Sequence, residues 1–158
     1  MEARTKWSEG ELAFETLQEI EDTAIHKVAK LQEDVGLKSI TDGEFRRENW
    51  WVDFISQIDG VIIADPDEAA EFKTDGGKGS GYIPKVVKTV SKISHKITLL
   101  ARDYKVLAEC TTETAKVTIP SPTRIHFHGG RAAVDKDTYP DMDDFWNDIA
   151  KFYQNEIS

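Results

Sequence analysis

The 158-residue sequence predicts an α/β fold, and three observations predict it. A long apolar stripe at helical spacing covers about residues 8–36 and stops at a glycine. A short β-type run, "LKSIT", follows it at once over 37–41 and ends in polar residues. A second passage repeats the logic, with a strand over 116–120 and a closing amphipathic helix over 141–157. Helix, glycine stop and short strand in succession make the αβ step of α/β proteins. In such folds the site residues gather just past the C-terminal ends of the strands.

Each element has its own signal. Ser8 and Glu11 form S-x-x-E, a capping box for the first helix. Leu17, Ile20, Ala24, Val28, Leu31 and Val35 then recur at steps of three and four, and Gly36 stands where a left-handed C-cap would sit. The strand at 37–41 leads into Asp42-Gly43-Glu44. Trp50, Trp51, Phe54, Ile55 and Ile58 suggest a shorter helix, stopped near Asp59-Gly60. Residues 60–95 read as a loop or hairpin excursion, with "VIIA" and the partly alternating "KVVKTVSKIS" as strands around the glycine-rich "DGGKGSG". Leu100, Tyr104 and Leu107 give a helix over 99–109 one face. "KVTIP" is a buried-type strand, turned by Ser121-Pro122. Asp141 is a good N-cap for the last helix, whose apolar face reads Met142, Phe145, Ile149, Phe152 and Ile157.

Bulk composition narrows the function classes. A net charge of −9 and a pI near 4.9 oppose a nucleic-acid partner. No apolar run approaches the roughly 18 residues of a membrane span. The N-terminus lacks an apolar signal core, and Cys110 is the single cysteine, so a reducing compartment, most simply the cytosol, is expected.

The chemistry concentrates in "ITDGEFRRENWW", residues 40–51, which sets three acids and two arginines against two tryptophans. On the αβ reading the acids stand at a strand's C-terminal lip. Arg46 and Arg47 either pair with Asp42 or form a solvated helix face, and Trp50 and Trp51 are expected to pack. His126 and His128 could share one side of an extended chain, yet no Cys, Asp or Glu stands beside them at ligand spacing. Asp141, Asp143 and Asp144 complement a helix dipole. Cys110 reads as a small apolar filler.

Three stretches, "LQEDVGLKSITDGEFRRENWWVDF", "KVTIPSPTRIHFHGGR" and "YPDMDDFWNDIAKFYQNEI", together resemble the cobalamin-independent methionine synthase family in its shorter, single-barrel branch. The resemblance runs from about Glu19 to Ile157. It implies a (β/α)8 TIM barrel that moves a methyl group from 5-methyltetrahydrofolate to the thiol of homocysteine. The family activates that thiol on zinc held by one His, one Glu and two Cys, because coordination turns a thiol titrating near about 8.5 into a thiolate at neutral pH.

Carried over residue by residue, Glu44 matches the acid that grips the ammonium group of homocysteine, with Asp42 beside it and Gly43 allowing the tight turn. Tyr82, in "GSGYIPK", falls where relatives contact folate. Ser121 and Thr123 fall at a strand end facing the site. Arg46 and Arg47 gain a further reading, contact with an anionic polyglutamate tail. No His-Val-Gly-Ser type first strand precedes Trp7, and one cysteine cannot supply two zinc thiolates. A complete barrel needs about 250 residues. The expectation is therefore an incomplete barrel, lacking the first strand and the C-terminal half, without zinc ligands and inactive alone. The alternatives are a non-catalytic half-barrel module, whose open strand edge pairs with a second copy or a complementing chain, and a related barrel decarboxylase.

Overall fold

The computed structural model describes residues 2–65, 85–127 and 129–158. Tyr82, His128 and most of the "DGGKGSG" excursion lie outside the described residues. In chain order the elements are α1 (Glu2–Ser8), α2 (Phe14–Asp34), β1 (Ser39–Ile40), α3 (Val52–Ile55), β2 (Asp59–Ala64), β3 (Val86–Ser94), α4 (Ala101–Glu109), β4 (Thr114–Ala115) and α5 (Met142–Ile157), with 3-10 turns at Pro122–Ile125 and Gly130–Ala133. They form two compact units, Met1–Trp50 with Leu100–Ile119, and Trp51–Leu99 with Pro120–Ser158.

In the first unit, β1 and β4 pair in parallel, Ser39 opposite Thr114 and Ile40 opposite Ala115. Ile25, Ala29, Ile40 and Leu107 form its core, with Cys110, Ala115 and Val117 packed against them. The long helix does not begin at a Ser8 capping box. Ser8 ends α1, its hydroxyl donating to the Thr5 carbonyl at 2.8 Å, and Gly10 breaks the chain at a φ of 77° before α2 starts at Phe14. The expected stripe is also displaced. Leu17, Glu21, Ile25 and Ala29 are the buried face, whereas Ile20, Leu31 and Val35 are exposed. Ile25 and Ala29 set that face by packing into the core, and Glu21 is accommodated on it by its ion pair with Arg4 of α1.

The ladder between β1 and β4 is shorter than the run 37–41 suggested, and its second strand lies at Thr114–Ala115, ahead of the expected 116–120 run, which is not strand. Gln32 of α2 explains the end of β1. Its amide donates to the Thr41 carbonyl at 2.8 Å and accepts the Thr41 N–H at 3.0 Å. Thr41 thus has both backbone groups satisfied by a side chain, and β1 does not extend through it.

In the second unit, β2 and β3 form an antiparallel hairpin with Val61 opposite Thr89 and a register shift between Asp59 and Val61. Gly60 sits in that irregularity at a φ of 89°. A Cβ there would lie 2.6 Å from the Lys92 carbonyl oxygen. Asp141 caps α5 by accepting the Asp143 N–H at 2.9 Å. The helix buries Phe145, Ile149, Phe152, Tyr153 and Glu156, while Ile157, expected on that face, is exposed. Tyr139 is wholly buried. Its oxygen accepts the Ile93 N–H at 2.7 Å and its hydroxyl donates to Asp148 at 3.0 Å. Tyr153 donates to the Pro120 carbonyl at 2.9 Å. Glu156 accepts the Leu99 N–H and meets His95 Nε2 at 2.9 Å.

Candidate functional site

The turn Asp42-Gly43-Glu44 begins two residues past the C-terminal end of β1. Asp42 is 4% exposed, and its Oδ1 accepts the Glu44 N–H at 3.0 Å. The Gly43 N–H donates to the Thr41 hydroxyl at 3.2 Å. These two bonds fold the chain sharply, with Gly43 at a φ of 66° and Glu44 at 56°. Among the described residues Glu44 is the only non-glycine with positive φ. A left-handed residue with a Cβ carries a conformational cost, so it persists only where its surroundings over-determine it. Here Asp42 does so from the preceding side and Arg47 from the following one.

Arg47 donates from Nη1 to Glu44 Oε1 at 3.2 Å and to the Trp50 carbonyl at 3.4 Å, and from Nη2 to the Thr118 carbonyl. Thr118 lies past the end of β4, so Arg47 ties the chain beyond one strand to the chain beyond its parallel neighbour. Its side chain is 8% exposed, whereas that of Glu44 keeps 37% of its surface open. The arrangement is an aimed, accessible carboxylate on a buried support, suited to receiving a cationic group.

Arg46 faces elsewhere. It bonds to Asp22 of α2, and its Nε lies 3.2 Å from Asp103 of α4. Arg102 reaches Asp22 at 3.2 Å. Burial pushes the Asp103 and Glu21 carboxyls above their ordinary range, with Arg46 and Arg4 as the first opposing influences respectively. Neither arginine is a solvated helix face: Arg46 pairs with Asp22 and Asp103, and Arg47 with Glu44, rather than with Asp42. Both are internal braces, which helical spacing alone did not reveal. The Arg47–Glu44 pair did have a sequence signal, their separation of three residues.

The other expected residues fall differently. Trp51 is buried, with the Arg124 guanidinium 4.0 Å over its ring, whereas Trp50 is 56% exposed. Ser121 is exposed and belongs to the second unit, its hydroxyl 2.9 Å from that of Thr123. Tyr82 lies outside the described residues. His126 packs its ring on Trp146 and Phe145.

Among the described residues, no group of three or more His, Cys, Asp or Glu side chains stands where it could hold a metal ion. Cys110 does not fit a thiolate ligand. It packs against the first unit's core, its Sγ bonds to the Val106 carbonyl at 3.0 Å, and burial pushes its thiol up. Among the described residues no helix is long and apolar enough to cross a membrane.

No protein-family profile matches the chain. Two Bacillus subtilis (strain 168) proteins, the uncharacterized YxjH and YxjG, are 35% and 33% identical to it over 157 residues. The match takes in 99% and 98% of this chain but 40% and 39% of theirs, so the chain spans about two fifths of these relatives' length. A crystal structure from Listeria monocytogenes, provisionally assigned as a vitamin-B12-independent methionine synthase, superimposes with a TM-score of 0.72 at 33% identity. That match covers 98% of this chain and 41% of the other. A B12-independent methionine synthase from Shewanella sp. W3-18-1 gives a TM-score of 0.64 at 22% identity over 93% of this chain and 40% of its own, a likeness of fold alone. The chain is thus a mixed α/β polypeptide whose backbone resembles part of B12-independent methionine synthase structures.

Proposed function

We propose that this chain carries the amino-acid-binding rim of a cobalamin-independent homocysteine methyltransferase, on an incomplete TIM barrel. Glu44 would hold the ammonium group of homocysteine, with Asp42 and Gly43 shaping the turn that presents it. The observation that carries this reading is the left-handed Glu44, aimed by Asp42 and Arg47 just past a parallel strand. The 33% identity with the Listeria structure over nearly the whole chain supports it. Ser121, Tyr82 and the methyl donor 5-methyltetrahydrofolate belong to the same proposal. The reading assigns this chain substrate binding and no thiol-activating residue, since Cys110 is committed to the core.

The test is a titration of the chain with L-homocysteine and with 4-mercaptobutanoate, which lacks the amino group, followed through the backbone amides of Gly43 and Glu44. Homocysteine is expected to shift both signals and the analogue to bind about tenfold or more weakly, the size of a lost charge-assisted hydrogen bond. Glu44→Gln should erase that preference. Equal response to both ligands, or to neither, would remove the proposal.

A second reading, an assembly module, draws on the short β1–β4 sheet. Two parallel strands form a small sheet, and parallel sheets ordinarily have more strands and both faces covered. A second copy or a complementing chain would extend it. Light scattering that finds a compact monomer at all concentrations would count against this reading.

A further inference from the structure

We propose that Arg47 is the positioning residue that makes the candidate site selective for an amino acid over its des-amino analogue. The proposal rests on the reading of Glu44 as the ammonium ligand. The backbone of Glu44 is fixed by Asp42, but its side chain has three rotatable bonds and is partly open to solvent. A carboxylate of that kind loses rotamer freedom when a ligand orders it. Arg47 removes most of that loss beforehand, since its guanidinium already holds Oε1.

Arg47 can do so because it is itself immobile. Its planar fork serves three acceptors of the first unit at once: Glu44 Oε1, the Trp50 carbonyl and the Thr118 carbonyl. With a side chain only 8% exposed and both terminal nitrogens engaged, it is poorly placed to grip a substrate carboxylate. Its action is exerted through Glu44. Lysine would keep the charge but could not reproduce the fork, because a single ammonium group lacks the two terminal nitrogens that serve these acceptors. Arg46 is the natural control. It is equally buried and charged and is one residue away, yet it faces Asp22 and Asp103.

The test compares the affinity ratio of L-homocysteine to 4-mercaptobutanoate in five chains: wild type, Glu44→Gln, Arg47→Gln, Arg47→Lys and Arg46→Lys, each with its melting temperature recorded. In Arg47→Gln the ratio is expected to fall about tenfold, with partial recovery in Arg47→Lys. Arg46→Lys should lower the melting temperature while leaving the ratio within about twofold of wild type. A purely structural Arg47 would move stability and leave the ratio alone, and a folded Arg47→Gln chain with the wild-type ratio overturns the proposal. Should that variant fail to fold, an unchanged ratio in Arg47→Lys overturns it instead. A wild-type chain with no preference rejects the Glu44 reading and this one together. A preference lost in Glu44→Gln but kept in both Arg47 variants rejects this one alone.

Discussion

The carboxylate of Asp42 accepts the backbone N–H of Glu44 at 3.0 Å, and that bond spans the one place where a residue with a Cβ turns left-handed among the described residues. Asp42 is nearly inaccessible, so its work at this turn is architectural even if the turn as a whole binds substrate. Asp42→Ala should destabilise the chain by about 1.5–3 kcal/mol, the range for a hydrogen bond to a charged group in a buried place. Asp42→Asn keeps an acceptor in position and should lose clearly less. Urea unfolding of the two variants separates them, and equal losses would show that the side chain does not hold the turn.

Gly60 and Gly36 both have φ near 90°, yet their surroundings differ. A Cβ at Gly36 meets nothing within 4 Å, whereas at Gly60 it would sit 2.6 and 2.7 Å from the Lys92 and Ser91 carbonyl oxygens. Gly36→Ala should therefore show only the left-handed penalty, about 1–2 kcal/mol. Gly60→Ala adds a backbone clash and should cost more than about 3 kcal/mol, because the hairpin must open to relieve it. Denaturation midpoints give both values, and a Gly60→Ala loss no larger than that of Gly36→Ala would contradict the register shift at β2.

Tyr139 supplies a prediction in alkali. Burial pushes its phenol from 10.0 to about 12; the Ile93 N–H opposes that rise, while the bond to Asp148 and its charge add to it. A group whose folded pKa is raised contributes stability that is fully present below its unfolded pKa and is lost as pH rises through the folded one. The stability difference between wild type and Tyr139→Phe should thus be flat up to the ordinary value of 10.0 and shrink as pH climbs toward about 12. Below that window the variant should lose about 1–3 kcal/mol, since the Ile93 N–H gives up its acceptor. Guanidinium unfolding across a pH series is the measurement. A difference that widened with alkali would reverse the sign and reject the burial argument.

What could be read in the sequence was local, and what escaped was made by distant side chains. Asp141 at the N-cap of α5 and the long helix ending near Gly36 follow from residues a few positions apart. The inward face of α2 does not, because Ile25 and Ala29 set it by packing into the core and Glu21 is accommodated on it through Arg4 on another helix. The length of β1 was overstated for the same reason, since Gln32 reaches across from α2 to satisfy Thr41. In the candidate site, the Asp42-Gly43-Glu44 turn stood out by its residue types. The separate tasks of Arg46 and Arg47 did not, because adjacent identical residues look alike until their partners on α2, α4 and the chain after β4 are known.

The bond from Tyr153 to the Pro120 carbonyl gives the closing helix a say in where the neighbouring Ser121 begins. Tyr153 is itself buried on the inward face of α5, so its hydroxyl is fixed by packing as well as by that bond. Removing the hydroxyl in Tyr153→Phe would release the Pro120 carbonyl from α5 and leave the backbone leading into Ser121 without that tether.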